Sequence, residues 1–222
     1  MFPRTNKRKA ISAVLTTLII LVASVVLGTG VVLYGTSLFQ TSSQSSGITT
    51  TGVNVWADAS GSSGWAWGSA DVRNSGDKIL SIDTIQVRGQ AVPFSNWYAD
   101  TNSSQVTTSN FQAANIYTAM LVTPNSLNGA LKNGTGFNAG WATPAGCTLG
   151  TGNLILQLQT GNPVLCLKQQ TGPVSLVPGA KAIIYFEVPQ NVMTAVDAGA
   201  ASSVAIYAGG VGAPQSVTVQ SK

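Results

Sequence analysis

An unbroken apolar segment near the N-terminus constrains this chain more than any other feature. Residues 10–39 contain no charged residue and no proline, and the basic cluster Lys7-Arg8-Lys9 directly precedes them. The segment is longer than the apolar core of a signal peptide, which spans about 7–15 residues, and no small-residue cleavage motif follows it. As a helix it would be about 45 Å long and apolar on every face, against a bilayer core of about 30 Å. The sequence therefore predicts either an ordinary membrane anchor or a helix that becomes buried among copies of itself.

The charge distribution indicates topology rather than a charged ligand. Charged residues make up 8% of the chain, and the formal net charge is +4. Four of the 11 basic residues precede the apolar segment: Arg4, Lys7, Arg8 and Lys9. The remaining seven balance the seven acidic residues. Basic residues before a first apolar helix keep that end in the cytoplasm, so everything after residue 40 is expected outside. A nucleic-acid-binding domain would carry positive charge on its folded part, so no nucleic acid is expected as a partner.

The two cysteines agree with an exported domain. Cys147 and Cys166 both lie in the polar C-terminal part of the chain. Outside the cytoplasm two such cysteines form a disulfide, and a loop of this length would stabilise the fold by about 3 kcal/mol. The alternative is a pair of buried free thiols. We predict the disulfide.

Beyond the apolar segment the composition changes to that of a β-domain. Gln40–Gly52 reads QTSSQSSGITTTG, which is typical of a flexible joint. Short apolar segments separated by Gly, Pro and Asn turns then predict strands at Val53–Ala57, Trp65–Arg73, Ile79–Arg88, Ala91–Tyr98, Ile116–Val122, Leu154–Gln159, Val164–Lys168, Lys181–Val188, Ser203–Ala208 and Ser216–Gln220. This succession favours an antiparallel sandwich, and the Gly- and Asn-rich residues 123–152 are expected to form a long surface loop. No helix of useful length is predicted after residue 52.

Three stretches of the N-terminus carry a family resemblance: Lys7-Arg8-Lys9-Ala10, Ile11-Ser12-Ala13-Val14 and Val31-Val32-Leu33-Tyr34-Gly35. Their layout resembles the class III signal peptide and polymerisation helix of the archaeal type IV pilin-like superfamily, which includes adhesive pilins and archaellins. Bacterial pilins carry a glutamate at the fifth mature position, where this chain has Leu15, so the resemblance favours the archaeal branch. Residues 72–79 and 177–180 also resemble strand and turn patterns of the immunoglobulin-like domains in this superfamily.

The resemblance implies an α+β fold, in which a long hydrophobic N-terminal helix precedes an all-β immunoglobulin-like sandwich, as in a lollipop-shaped pilin. The expected layout is a leader at 1–10, a transmembrane and polymerisation helix at 11–40, a linker at 41–52 and an extracellular sandwich at 53–222. A prepilin peptidase would recognise Arg8 and Lys9 and cut between Ala10 and Ile11, with a cut after Lys9 as the alternative. The other implied partners are copies of the chain, the membrane before assembly and the pilus assembly machinery. No cofactor is implied.

The helix carries a stripe of small residues on one side. Ser24, Gly28 and Gly35 fall within about 40° of one another on a helix that advances about 100° per residue. Such a stripe lets a neighbouring backbone approach closely, although it is also found in anchors that do not polymerise. The hydroxyls of Thr16, Thr17 and Ser24 are expected to bond the carbonyl four residues earlier, which makes their burial tolerable.

The sequence gives little support for catalysis or metal binding. The chain has no histidine, which excludes a Ser-His-Asp triad and imidazole acid–base chemistry. Glu187, the only glutamate, precedes Pro189 by two residues and is expected to be solvated or to cap a turn. Asp71, Asp77 and Asp83 lack the spacing of an EF-hand loop, so no metal site is expected.

The tryptophans are interpreted as packing residues. Trp65 and Trp67 share one strand face, whereas Trp56, Trp97 and Trp141 are scattered along the chain. An exposed aromatic cluster would bind sugars, but a sandwich core or a subunit interface is the favoured interpretation.

Two sequons, at Asn102 and Asn133, are candidate N-glycosylation sites on predicted loops. Chance alone would produce sequons in a chain so rich in Ser and Thr. These asparagines are candidates because their part of the chain is expected outside the cytoplasm, and not because sequons are numerous.

We expect a structural subunit of an archaeal type IV pilus-like surface filament, with the helix in the filament core, the sandwich outside, and adhesion as its role. The alternatives are an archaellin of the rotating filament and a membrane-anchored surface domain that does not polymerise. An enzyme is not expected.

Overall fold

Helix α1, Lys7–Ser42, is the first element of the chain and is 36 residues long. The computed structural model describes residues 7–42, 46–58, 64–113, 121–122, 144–147, 152–159 and 161–221. The chain divides into two compact units, Met1–Ser45 and Ser46–Lys222. Helix α1 contains the predicted helix 11–40 and begins four residues earlier. The basic cluster joins the helix because Lys, Arg and Ala have high helix propensity and no proline interrupts them.

The second unit is mostly β-structure, so the predicted α+β class is confirmed. In the part of the chain that the structure describes, its strands are β1 (Ile48–Ala57), β2 (Ala66–Asn74), β3 (Leu80–Val87), β4 (Gln90–Ala91), β5 (Trp97–Asp100), β6 (Leu121–Val122), β7 (Asn153–Leu156), β8 (Leu165–Gln169), β9 (Val174–Leu176), β10 (Lys181–Val188), β11 (Ala201–Ala208) and β12 (Val211–Ser221). One short helix, α2 (Thr108–Gln112), lies between β5 and β6.

The strands form one hydrogen-bonded path that folds into two facing layers. Their order is β4-β3-β11-β12-β1-β2-β10-β5-β8-β7-β6, with β9 also paired to β3. Described neighbours are antiparallel except β1 and β12, which pair in parallel through residues 55–57 and 219–221. Strand β12 pairs with β11 up to Thr218 and with β1 from Val219, so it is where the path passes from one layer to the other.

Two cores cover opposite faces of the central strands. The main core lies between the layers and joins residues such as Ile184 and Phe186 of β10 to Ile82 of β3 and Ile206 of β11. A second core lies on the other side of β2, β10 and β5, where Tyr185 packs with Leu154 and Leu165 from β7 and β8. Strand β10 is therefore buried on both faces, which explains why its sequence is apolar almost without alternation.

Strand β1 begins at Ile48, inside the segment predicted to be a linker. The residues Ile48, Thr49, Thr50 and Thr51 pair with Asn74 to Asp71 of β2. Ile and Thr are β-branched and favour extended backbone, so the polarity of this segment was a poor guide to its conformation. The register shifts between Thr51 and Asn54, next to Gly52 with φ of 63°. The predicted linker 41–52 is thus corrected to a connection that ends before Ile48.

The predicted strand Ala91–Tyr98 is wrong, because two short strands and a turn occupy that region. Strand β4 ends at Ala91, a 3₁₀ turn covers Phe94–Asn96, and β5 starts at Trp97. Pro93 starts this turn: it has no N–H for a ladder, and its carbonyl accepts a hydrogen bond from the Asn96 amide at 2.9 Å.

Two short elements, β9 and α2, were not predicted, and most of one predicted strand lies outside the described residues. Strand β9 is only three residues long, between Pro173 and Pro178. Helix α2 is five residues long, and the Thr107 hydroxyl caps it by accepting from the Asn110 amide. Of the predicted strand Ile116–Val122 the structure describes only residues 121–122, and most of the predicted loop 123–152 is likewise outside the described residues.

The alternation of buried and outward-facing residues in strand β3 is interrupted part-way along, although its buried residues all belong to the main core. Leu80 and Ile82 are buried, and so are Ile85 and Val87. A strict period of two would place these pairs on opposite faces. The register with β11 shifts here, since Thr84 faces Tyr207 and Ile82 faces Ala208, so Asp83 is the extra residue of a bulge.

The buried side chain of Asn74 connects three segments at the end of β2. Its Nδ2 donates to the carbonyls of Lys78 at 2.7 Å and Leu176 at 2.9 Å, and its Oδ1 accepts from the Gly76 amide at 3.0 Å. The adjacent Ser75 amide donates to the Gly47 carbonyl. The Asn74 side chain therefore fixes the turn after β2 to the end of β9, and the Ser75 amide holds the same turn beside the start of β1.

Replacing Asn74 should destabilise the β-domain strongly. In residues 46–222 produced alone, Asn74→Ala should lower the free energy of unfolding by about 3 kcal/mol, since it leaves buried carbonyls unsatisfied. Urea unfolding followed by tryptophan fluorescence measures the change. Ser81→Ala, which removes a hydroxyl bonded to the Ser175 hydroxyl at the surface, should change it by less than about 0.5 kcal/mol. Equal effects of both variants would contradict this role for Asn74.

Candidate functional site

The apolar surface of helix α1 is the first candidate site. Over Ala13–Leu38, where side chains are described, the large apolar residues range from 51% exposed at Val22 to 72% at Val31. This segment of 26 residues is the one described helix that is long and apolar enough to cross a membrane. By length and composition such a helix near the N-terminus can be an anchor or a signal sequence.

The predicted small-residue stripe lies in open space. A Cβ added to Gly28 or Gly35 would have no atom within 4 Å, apart from neighbouring residues and the helix's own backbone, and the same is true of Gly30. Ser24 is exposed as well. The stripe is therefore free to receive another helix, which is what close packing at glycines requires.

The helix hydroxyls are satisfied by their own backbone, but with a different spacing from that predicted. Thr17 and Ser24 each donate to the carbonyl three residues earlier, at 2.9 Å, rather than four. The Thr29 hydroxyl donates to the carbonyls of both Val25 and Val26. Because these bonds are internal to the helix, they are kept when an apolar environment surrounds it.

The predicted processing residues lie in the first turns of helix α1. Arg8, Lys9, Ala10 and Ile11 are all helical in backbone, and their side chains are not among those described. The Ala10–Ile11 bond is thus inside a regular helix that starts at Lys7.

The structure joins the two cysteines as predicted. Cys147 and Cys166 form a disulfide with Cα atoms 5.9 Å apart. The bond ties residues 144–147, which have no strand of their own, to β8. It therefore fastens a loop segment covalently to the sheet.

The sequon at Asn102 lies at the surface close to this disulfide. Asn102 is exposed, and its Oδ1 accepts from the Ser104 amide at 3.0 Å. The buried carboxylate of Asp100 accepts from the amides of Asn102 at 2.9 Å and Cys166 at 2.8 Å, and burial raises the pKa of this carboxyl. Asp100 thus connects the sequon turn to the disulfide strand, a role that nothing in the sequence indicated. The second sequon, Asn133, lies outside the described residues.

The remaining sequence candidates are distributed as packing residues rather than as a site. Trp56, Trp67 and Trp97 are 0–1% exposed and belong to the two cores, and Trp65 is half-buried. Trp141 lies outside the described residues. In the described ranges no three His, Cys, Asp or Glu side chains form a group that could hold a metal.

Glu187 was predicted to be solvated or to cap a turn, and this prediction is wrong. Its side chain is 8% exposed, and Oε1 has no hydrogen-bond partner among the described residues. It lies opposite Trp67, on the face of β10 that the second core covers. Burial raises the pKa of Glu187 to about 7. The pKa of Tyr98 is raised by its own burial first and by the charge of Glu187 second. Glu187 lies two residues before Pro189, which suggested an exposed strand end. The second core covers this end of β10, so its carboxyl is buried.

No protein-family model and no curated protein matches the chain. The family resemblance of the N-terminus therefore stays a prediction, and the functional argument depends on the geometry of helix α1 and of the β-domain.

Glu187 should make the β-domain less stable as the pH rises. Its carboxyl binds a proton more tightly when folded, so the free energy of unfolding is highest below the ordinary pKa of 4.5 and falls up to about pH 7. The loss attributable to this residue is about 3 kcal/mol. In residues 46–222, Glu187→Gln should remove the part of this fall that Glu187 contributes and leave the part from Asp100, whose pKa burial also raises. Urea unfolding at pH 4 to 8 measures the difference.

Asp197→Asn is the control for this experiment. Asp197 pairs with Arg88 at 2.7 Å, and the guanidinium lowers the pKa of that carboxyl. Its contribution to stability is therefore lost as the pH falls, which is the opposite sign. This variant should leave the fall between pH 4.5 and about 7 in place. An unchanged fall in Glu187→Gln would contradict the assignment.

Proposed function

We propose that this chain is a structural subunit of a surface filament of the archaeal type IV pilus kind. Helix α1 forms the filament core with the helices of other copies, and the β-domain forms the outer sheath and makes adhesive contacts. Before assembly the helix lies in the cytoplasmic membrane, and a prepilin peptidase removes the leader. The single observation that carries this proposal is the uniform exposure of the apolar side chains along Ala13–Leu38.

The free energy of this surface demands an apolar environment. Fifteen large side chains of α1 are more than half exposed. At roughly 1.5–3 kcal/mol for each one buried, leaving them in water would cost on the order of tens of kcal/mol. A bilayer supplies the environment before assembly, and a bundle of identical helices supplies it in a filament.

Three features of the chain suit assembly into a filament core. The Ser24, Gly28 and Gly35 stripe is open to a neighbouring helix. The chain after residue 10 contains equal numbers of basic and acidic residues, so stacked copies accumulate no net repulsion. The hydroxyls of Thr17, Ser24 and Thr29 are satisfied within the helix, so they need no water to accompany them into a core. A permanent anchor remains the competing function, because a bilayer also gives the apolar side chains of α1 an apolar environment.

The N-terminus of the mature protein tests the processing step. The protein isolated from its native surface should begin at Ile11, or at Ala10 if the alternative bond is cut, because the basic cluster borders the apolar segment there. Mass spectrometry of the N-terminal peptide measures this. Ile11→Pro would serve as a comparison, since it should leave the leader attached. A native N-terminus at Met1 or beyond residue 40 would refute the proposal.

Bulky substitutions in the stripe test assembly. Gly28→Leu and Gly35→Leu should prevent or greatly shorten filaments seen by electron microscopy of sheared surface material, since a leucine side chain keeps neighbouring backbones apart. Gly30→Leu is the matched control, because Gly30 is in equally open space but about 200° away from Gly28 around the helix.

The comparison separates packing at the stripe from a general effect of bulk. If all three variants assembled normally, close packing through the stripe would be excluded. If wild-type cells carried the processed protein but no filament containing it, the competing anchor function would replace the proposal.

A further inference from the structure

Two exposed apolar side chains lie side by side at one end of the β-domain. Ile79 is 66% exposed and Val177 is 57% exposed. Ile79 precedes Leu80 of β3, Val177 follows Leu176 of β9, and Leu80 pairs with Leu176, so the two side chains lie at the same end of that ladder. Val196, the other exposed large apolar residue described in this domain, lies at the opposite end, near the Arg88–Asp197 ion pair.

The end that carries this pair is also where the chain enters the domain. The Gly47 carbonyl, directly before β1, accepts from the Ser75 amide at 3.0 Å. Asn74 holds the turn after β2 and the end of β9 in the same place. We call Gly47, residues 74–79 and residues 177–180 the entry pole. Since buried hydrogen bonds fix these segments to one another, the exposed pair is a rigid feature and not a loose tip.

Charged side chains flank the pair. Lys78 is exposed within the entry pole, and Arg73 is exposed at the end of β2. Lys181 pairs with Arg73 across the ladder, but its Nζ donates to the Thr108 hydroxyl at 3.2 Å and lies over the Phe111 ring, so its charge is engaged by α2. Two exposed carboxylates, Asp77 and Asp83, balance Lys78 and Arg73, and Lys78 is the cation next to Ile79 in the chain.

We propose that the entry pole binds the outer surface of the membrane in which helix α1 is anchored, with Ile79 and Val177 in the interfacial layer and Lys78 on anionic lipid headgroups. This inference rests on the membrane-anchored state of the proposed function. Nine residues separate Leu38 from Ile48, so an inserted helix keeps the pole within about 25 Å of the bilayer. Apolar side chains flanked by Lys and Arg are what binds a membrane interface, because the long cationic side chains reach the headgroups.

Spin labels on the full chain test this. The protein is reconstituted in vesicles of phosphatidylcholine and phosphatidylglycerol with a nitroxide at Val177→Cys; the native cysteines are held in their disulfide. The accessibility of the label to membrane-soluble oxygen and to a water-soluble nickel chelate is measured separately, from the relaxation that each reagent causes. The oxygen-to-nickel accessibility ratio at position 177 should be several-fold higher than at Val196→Cys, a control that is 92% exposed in the structure. A label at Val26→Cys, in the middle of the helix, verifies insertion.

Charge variants and the remaining outcomes complete the test. Lys78→Gln should lower the ratio at position 177, whereas Lys168→Gln, an exposed lysine of β8 outside the entry pole, should not. Equal ratios at positions 177 and 196 with an inserted helix would overturn this inference alone. A water-exposed label at position 26 would overturn membrane anchoring as well. A ratio at position 177 that rises only in assembled filaments would replace the membrane with a neighbouring copy.

Discussion

A long helix that is apolar on every side is the constraint on which the rest of this structure depends. The large apolar side chains of Ala13–Leu38 are exposed throughout, so the chain needs a bilayer or other copies of itself to be stable in water. This requirement explains the internal hydrogen bonds of Thr17, Ser24 and Thr29, which keep these hydroxyls partnered when water is removed. Four basic residues precede this helix, and in the proposed membrane-anchored state they would keep that end in the cytoplasm.

The β-domain has a different organising principle, which is burial of its central strands on both faces. Strands β2 and β10 separate two cores, one shared with β3, β11 and β12 and one covered by β7 and β8. A strand in that position has no solvent-facing side on which to place a charge. Glu187 is placed there all the same, and its raised pKa makes the stability of the domain sensitive to pH in the range where surface carboxylates have no such effect.

Buried polar side chains fix two surface regions of the domain. Asn74 fixes the entry pole by bonding the turn after β2 and the end of β9, which is far away in the sequence. Asp100 performs the equivalent task near Asn102, where it accepts from two main-chain amides, one of them from the disulfide strand. Each of these residues is buried and hydrogen-bonded, so each contributes rigidity to a surface that would carry a membrane contact or a glycan.

The sequence by itself determined the apolar helix, the α+β class and most central strands, because apolar periodicity and turn residues are local signals. It also indicated the disulfide between Cys147 and Cys166, from topology rather than geometry. It failed for Ala91–Tyr98, for the start of β1 and for Glu187. Proline position, pairing with β2 and burial under a second core decided those features. Only the tertiary structure brought Ile79 beside Val177 and joined Asn74 to Leu176, because residues about 100 apart in the chain meet only once the strand order is set, and no local pattern encodes that order.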